Sequence, residues 1–188
     1  MSLGGRIVLV TGGAGYVGQR LCRRLVAERA LEVRALDKHF DNDTDRTTDG
    51  VILLKGDIRN VEDLRRACQG VHVVFHTTYL QQCNQSVLDL RGARQINVEG
   101  VSNVLRCCLE HGVLALVYTS TYSVVFGDEE VTMGEENIPY FPLERHTDEV
   151  SRSKALAEME VLRASGTRHL SDSTCLYTCA LRPATIYG

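Results

Sequence analysis

The stretch IVLVTGGAGYVG at residues 7–18 joins a short apolar run to four closely spaced glycines. The glycines at positions 13, 15 and 18 match G-x-G-x-x-G, and those at 12, 15 and 18 give a wider G-x-x-G-x-x-G spacing. Glycine suits a sharp strand-to-helix turn whose backbone approaches a pyrophosphate closely. A helix beginning near Tyr16 would direct its unpaired amides at the anion. The stretch therefore predicts a dinucleotide-binding turn.

An acidic residue at the end of the next apolar segment supports this prediction. Residues 6–10 are typical of a buried parallel strand, and apolar residues at helical spacing follow the glycines. The apolar segment 31–36 leads into Asp37, 25 positions after Gly12. Dinucleotide-binding folds place an acid here to accept the ribose hydroxyls. The alternative is a glycine-rich turn before an ordinary helix.

Length and composition indicate one soluble α/β domain over residues 1–188, large enough for a core on both faces of a sheet. The net charge of -3, with mixed signs along the chain, excludes a basic stripe for nucleic acid. The sequence shows neither a secretory signal nor an apolar run of about 18 residues, so we expect no membrane contact. Seven cysteines without C-x-x-C spacing predict reduced core residues of a cytosol-facing protein.

The polar segment 38–50 is predicted to be a loop. Its aspartates at 41, 43 and 45 resemble the start of a calcium loop, but arginine and isoleucine stand where that loop needs glycine and glutamate. We therefore expect no metal site.

Apolar segments and helical patterns alternate along the rest of the chain. Strands are predicted at 51–54, 71–76, 114–119 and 176–181, with a helix capped by Asn60 and further helices at 97–110 and about 148–164. This alternation predicts a doubly wound parallel sheet, a Rossmann fold. Ligands bind such sheets at the carboxyl ends of the strands. Polar residues fall at those ends: Thr11, Asp37, Asp57 and residues 76–78 and 119–121.

Seven motifs give the chain a resemblance to a known family. They are TGGAGYVG at 11–18, GDIRN at 56–60, VFHTTYL at 74–80, INVEG at 96–100, VYTSTYSVVFG at 117–127, SRSKALAE at 151–158 and LRPATIYG at 181–188. Together they resemble the extended short-chain dehydrogenase/reductases, and within them the 3β-hydroxysteroid dehydrogenase/isomerase family, most of all its family 42E members. The resemblance implies an NAD-dependent oxidoreductase that takes a hydride from a secondary alcohol of a steroid or sterol.

The resemblance also implies which residues hold NAD. The pyrophosphate would lie on the glycine turn and the first helical turn, formed by Gly12, Gly15, Tyr16, Val17 and Gly18. Asp37 would bind the adenosine ribose, and Asp57 and Ile58 the adenine. The nicotinamide side would be lined by His76, Thr77, Tyr79, Lys154 and Pro183.

Two further positions resemble catalytic residues of the family. Asn97 resembles a helix asparagine that supports a proton-relay water, although asparagine is also a favoured helix N-cap. Thr121 resembles the hydroxyl that hydrogen-bonds the substrate oxygen, although it is also an ordinary strand-end threonine. Both alternatives stay open at the level of sequence.

The catalytic pair departs from the family. The family's Tyr-x-x-x-Lys places both side chains one helical turn apart, so that the ammonium lowers the pKa of the phenol. Lys154 is present here, but Val150 stands at the tyrosine position and transfers no proton. A natural pseudoenzyme, an unusual member and a substitution in this copy of the sequence all explain it.

By resemblance, residues 181–188 lead toward a smaller substrate domain, so we expect an NAD-binding domain followed by that domain in a longer protein. The family also implies association of two copies and a protein on the cytoplasmic face of the endoplasmic reticulum, anchored by a later segment. Two other functions compete with the steroid dehydrogenase. A sugar-nucleotide epimerase or dehydratase shares the glycine turn and the lysine, and an NAD-binding regulatory module without turnover is favoured by Val150.

Overall fold

The computed structural model describes residues 3–40, 49–80, 87–127, 135, 137–170 and 173–187, with the backbone alone for 87–90. The aspartates at 41, 43 and 45 lie outside these residues. The strands are β1 Ile7–Thr11, β2 Glu32–Asp37, β3 Val51–Lys55, β4 Val73–His76, β5 Ala115–Thr119, β6 Thr167–Arg168 and β7 Cys175–Leu181. The α-helices are α1 Tyr16–Ala27, α2 Val61–Cys68, α3 Val87–Arg94, α4 Gly100–Glu110 and α5 Glu149–Arg163.

The strands form one sheet in the order β3-β2-β1-β4-β5-β7-β6. The first six pair in parallel, so the predicted doubly wound sheet is confirmed. The chain order reverses between β1 and β4, where Thr11 and His76 are partners at the carboxyl ends. Such a reversal opens a crevice for ligands. The edge strand β6 is antiparallel to β7, and the sequence did not predict it because two residues give no alternation.

Helices cover both faces of the sheet because side chains alternate along each strand. On β1, Leu9 joins a core that includes Leu64, and this core lies under α2, α4 and α5. Val8 and Val10 join the opposite core with Leu25 of α1. Both sides of the parallel sheet are therefore dry, which explains the continuous apolar run of β1.

Side-chain caps fix the starts of two helices. The side-chain Oδ1 of Asn60 accepts a hydrogen bond from the backbone amide of Glu62 at 3.0 Å, which confirms the predicted cap of α2. The Asp148 carboxylate accepts one from Ser151 at 2.7 Å at the start of α5. Within the described part of the chain, no helix has the length and apolarity that a bilayer crossing requires.

The predicted helix 97–110 starts too late. The helix already runs through α3, continues through a π-helical segment at Gln95–Glu99 and becomes α4. Asn97 is the third residue of the π segment, so the alternative that it caps a helix is wrong. The physical reason is that the π segment sits inside a longer helix, where Asn97 bonds neighbouring segments instead of a helix terminus. Short π-helical segments of this kind occur frequently at functional sites.

The cysteines of the described residues are free thiols. Cys22, Cys68, Cys107 and Cys108 are buried, as predicted, whereas Cys179 is exposed on β7. Cys83 lies outside the described residues. Burial raises the pKa of the Cys22 thiol to about 12, which keeps it protonated and unreactive.

Candidate active site

A cleft of about 830 Å³ opens at the carboxyl ends of the strands, beside the start of α1. The structure brings most of the sequence-predicted residues to its wall: Gly12, Gly15, Tyr16, Val17, Gly18, Asp37, Thr77, Tyr79, Thr121, Val150, Lys154 and Pro183. Asp57, Ile58, His76 and Asn97 stand behind this wall. The cleft is large enough for a cofactor-sized molecule.

The glycine turn leaves open space at the start of α1. Gly12 has a φ of +72°, which favours glycine, and a Cβ on Gly18 would overlap the Gly12 carbonyl. A Cβ on Gly15 would instead meet only the Gly12 oxygen, at 3.2 Å. Gly15 is the N-cap of α1 and has no side chain to bond the first amides of the helix. The cradle therefore fits an anion, with backbone donors and the positive end of the helix dipole directed at it.

Asp37 lies beside this cradle, at the end of β2. One carboxylate oxygen accepts a hydrogen bond from the Ala14 amide at 3.1 Å, and the other accepts one from the Lys38 amide at 2.7 Å. Two backbone donors thus hold the carboxylate in place beside the glycine turn. A fixed carboxylate accepts hydrogen bonds from ribose hydroxyls and repels a phosphate group.

Asp57 and Ile58 follow β3, outside the wall of the cleft. Burial opposes ionisation of Asp57, but the hydrogen bonds and charge of Arg59 outweigh it and keep the pKa of Asp57 below its ordinary value. Lys38, which does line the cleft, lies 3.8 Å from the Asp57 carboxylate. Ile58 is buried beneath Gly100, where an added Cβ would crowd its side chain. Their adenine contacts stay predictions.

His76 lies in the sheet behind the cleft and is almost fully buried. Its Nδ1 is 2.8 Å from the Thr11 hydroxyl, and its ring stacks on Tyr118. Burial and the nearby charge of Lys154 lower the pKa of His76 to about 3, so the imidazole is neutral at physiological pH. His76 therefore supports the wall of the cleft as an uncharged group.

Lys154 reaches the cleft from α5 although only 3% of its surface is exposed. Its Nζ donates a hydrogen bond to the Thr119 carbonyl at 2.6 Å and lies over the Tyr79 ring, 4.5 Å from the centroid. Burial lowers the pKa of Lys154 to about 8, partly offset by the charge of Glu158. The cleft thus holds an ammonium group at neutral pH that is bound to a carbonyl and to aromatic faces.

Val150 lines the same cleft one helical turn before Lys154. Its side chain is partly buried, and its carbonyl accepts a hydrogen bond from the Ser153 hydroxyl at 2.9 Å. The position that carries a phenol in the family's motif is therefore directed at the cleft, but an isopropyl group occupies it. An isopropyl group neither donates nor accepts a proton.

Asn97 joins three segments behind the cleft. Its Oδ1 accepts a hydrogen bond from the Leu80 amide at 2.8 Å, and its Nδ2 donates to the Ser153 hydroxyl at 3.0 Å. These bonds tie the residues after β4 to α5, next to Lys154. Thr121 caps a short 3₁₀ helix by accepting from the Ser123 amide at 3.3 Å, and it also lines the cleft. Their catalytic roles stay predictions.

A buried carboxylate behind Lys154 was not predicted from the sequence. Glu158 is completely buried and accepts hydrogen bonds from the Tyr140 hydroxyl at 2.9 Å and from Arg182 at 2.7 Å. A spacing of four residues from Lys154 on the predicted helix could have revealed it, because such residues share a face.

The chain is similar in sequence to proteins of a known family. Residues 9–188 match the sequence profile of the 3-beta hydroxysteroid dehydrogenase/isomerase family. The chain belongs to this family. Among its relatives is the short-chain dehydrogenase/reductase family 42E member 1 of Danio rerio, 39% identical over 181 residues, which cover 96% of this chain and 46% of the relative. The Homo sapiens protein of the same name is 38% identical over 183 residues, with the same coverage. The chain thus spans about half the length of these relatives.

Solved structures of NAD-bound enzymes share this fold. The UDP-glucose 4-epimerase of Thermus thermophilus, in complex with NAD, has a TM-score of 0.76 and 30% identity, covering 94% of this chain and 54% of the epimerase. The dTDP-glucose 4,6-dehydratase of Streptomyces venezuelae, with NAD bound, has a TM-score of 0.75 and 25% identity, covering 92% of this chain and 54% of the dehydratase. The extended short-chain dehydrogenase/reductase class predicted from the sequence is confirmed.

Proposed function

We propose that residues 1–188 are the NAD-binding domain of an oxidoreductase that acts on a CH–OH group of a hydroxysteroid or sterol. The observation that carries the proposal is one cleft that contains an uncapped glycine turn, a fixed carboxylate at Asp37 and an ammonium group at Lys154. Family membership and the NAD in similar structures support the same cofactor. Bound NAD supplies the acceptor for the hydride of the alcohol carbon.

Different residues of the chain bind different parts of the cofactor and the substrate. The backbone amides in the first turn of α1 bind the pyrophosphate, for which Gly15 leaves room, and the Asp37 carboxylate accepts hydrogen bonds from the adenosine ribose. Lys154 donates its remaining N–H groups to the nicotinamide ribose. Thr121 hydrogen-bonds the substrate oxygen. Lys154 exposes only 3% of its surface, so its ammonium group is shielded from water by the walls of the cleft.

Proton transfer is the step that the chain leaves open. Oxidation of an alcohol sends a hydride to the cofactor and releases the hydroxyl proton to a base. In the family's motif a phenol receives that proton, and Val150 cannot. This observation favours a second candidate function, an NAD-binding module without turnover.

The two candidates are separated in a chain extended to the length of its relatives. With Val150 in place, the module hypothesis predicts NAD binding without NADH production from a hydroxysteroid. The dehydrogenase hypothesis predicts slow but measurable NADH production with Val150 in place, and a rate that Val150→Tyr raises by roughly 10²–10⁴-fold, because that is the contribution of a positioned acid or base. Adding Lys154→Met to Val150→Tyr should abolish the gain. No gain from Val150→Tyr, with the variant folded and binding NAD, would refute the dehydrogenase hypothesis.

A further inference from the structure

Lys154 and Glu158 lie one turn apart on α5, and both are buried. Lys154 exposes 3% of its surface and Glu158 exposes none. Residues four apart on a helix have Cβ atoms about 6 Å apart and share one face. In a protein interior, two charges on the same helix face interact more strongly than they do in water. The state of one group therefore depends on the other.

The other groups that face Lys154 are uncharged at neutral pH. From β5 come the Thr119 carbonyl, 2.6 Å from Nζ, and the Tyr118 ring, 5.0 Å away. The Tyr79 ring packs from the segment after β4, and His76 in β4 is neutral because burial and Lys154 lower its pKa. Burial raises the pKa of the Tyr118 phenol as well, so it also remains neutral. Within the described chain, Glu158 is the anion whose charge favours protonation of Lys154.

The two oxygens of Glu158 have different surroundings. Oε1 accepts hydrogen bonds from Tyr140 at 2.9 Å, from Arg182 Nε at 2.9 Å and from Arg182 Nη2 at 2.7 Å. Oε2 is buried and has no hydrogen-bond partner among the residues that the structure describes. Arg182 thus binds only one of the two carboxylate oxygens.

We propose that Glu158 is a positioning residue whose buried carboxylate holds Lys154 in its protonated form at neutral pH. Without Glu158, burial would lower the pKa of Lys154 further. Glu158 offsets this effect of burial from behind the cleft, without touching the ligand. The consequence for the cofactor rests on the proposed function: Lys154 binds the nicotinamide ribose while it is charged, so Glu158 sets the upper pH limit of NAD binding.

Direct titration of Lys154 tests the proposal without any cofactor. The sequence contains three lysines, Lys38, Lys55 and Lys154. Lysine labelled with ¹³C at Cε therefore gives three resonances, and Lys154→Met identifies one of them. The wild-type resonance should titrate with a midpoint near 8, as burial and Glu158 together require. Glu158→Gln should lower the midpoint by about one pH unit or more, because it removes the facing negative charge.

The matched control is Glu160→Gln, the same change two residues further along α5. Glu160 accepts a hydrogen bond from the Ser102 hydroxyl at 2.8 Å and should leave the Lys154 midpoint unchanged. An unchanged midpoint in a folded Glu158→Gln variant overturns the proposal. If circular dichroism shows that Glu158→Gln does not fold, Glu158→Met decides, because it removes the same charge with an apolar side chain of similar volume. It should also lower the Lys154 midpoint, and an unchanged or higher midpoint overturns the proposal.

Calorimetric titration with NAD then tests the link to binding. Wild-type affinity should fall as pH rises through 8, and in Glu158→Gln the fall should move to lower pH by the same interval as the Lys154 resonance. If the resonance moves and NAD affinity does not follow, Glu158 still controls Lys154, and the proposed contact between Lys154 and the cofactor is refuted.

Discussion

Replacing Lys154 by methionine should stabilise the fold at neutral pH. Methionine fills a similar volume without a charge, and Lys154 is almost fully buried. A pKa lowered from 10.5 to about 8 corresponds to a cost of roughly 3 kcal/mol for keeping this group charged in the folded state. Loss of the hydrogen bond to the Thr119 carbonyl offsets about 1 kcal/mol of this gain. We therefore expect Lys154→Met to raise the free energy of unfolding by about 2 kcal/mol at pH 7, or Tm by about 4–8 °C.

The gain should depend on pH with a defined sign. The unfolded chain holds the lysine proton up to about pH 10.5, whereas the folded chain releases it near 8. Between these values the unfolded state binds more protons, so the wild type becomes more stable as pH rises. The advantage of Lys154→Met should therefore be full below pH 8, fall to zero between pH 8 and 10.5, and reverse to about 1 kcal/mol in favour of the wild type by about pH 10.5, where the neutral amine still donates to the Thr119 carbonyl.

Urea denaturation followed by circular dichroism at pH 7, 8, 9 and 10, under reducing conditions, measures this difference. Lys55→Met is the control, because it changes an exposed lysine at the end of β3 and should alter the free energy of unfolding little. A difference between Lys154→Met and wild type that stays the same from pH 7 to pH 10 would show that folding does not lower the pKa of Lys154. So would a variant less stable than wild type at pH 7.

Three further changes test the turn, the cofactor preference and the support of the cleft. Gly18→Ala should destabilise the fold by roughly 2 kcal/mol or more in urea denaturation, because its Cβ overlaps the Gly12 carbonyl. In a melting assay the wild type should be stabilised more by NAD than by NADP, and Asp37→Ala should reduce that preference; equal stabilisation of wild type by both cofactors would contradict the role of Asp37. Asn97→Ala should cost about 1–3 kcal/mol, because it leaves the Leu80 amide unpaired, and an unchanged urea midpoint would show that water replaces the side chain.

The sequence predicted the features that depend on local pattern. The glycine turn, Asp37 and the strand ends were predicted, because turn chemistry and β-α alternation are written into neighbouring residues. The cap at Asn60 followed from the same local rules.

Features set by tertiary contacts were not predicted. The π-helical segment places Asn97 against Leu80 and Ser153, and no periodicity in the sequence indicates that geometry. His76 and Ile58 were assigned to the cofactor, but packing places both behind the wall of the cleft. The bonds between Glu158 and Arg182 join residues 24 apart, so only the folded chain shows them.

Binding of NAD by the glycine cradle at the start of α1 is tested most directly by Gly15→Val. Gly15 has φ -71° and ψ 166°, an extended conformation that valine adopts readily, and an added Cβ meets only the Gly12 oxygen at 3.2 Å. The variant should therefore fold, with a Tm somewhat below that of the wild type because the Gly12 carbonyl must shift to admit the Cβ, while its side chain fills the space for the pyrophosphate. Calorimetric titration with NAD should show binding to wild type and none to Gly15→Val. Equal NAD binding by both proteins, or none by the wild type, would show that this glycine cradle does not bind NAD.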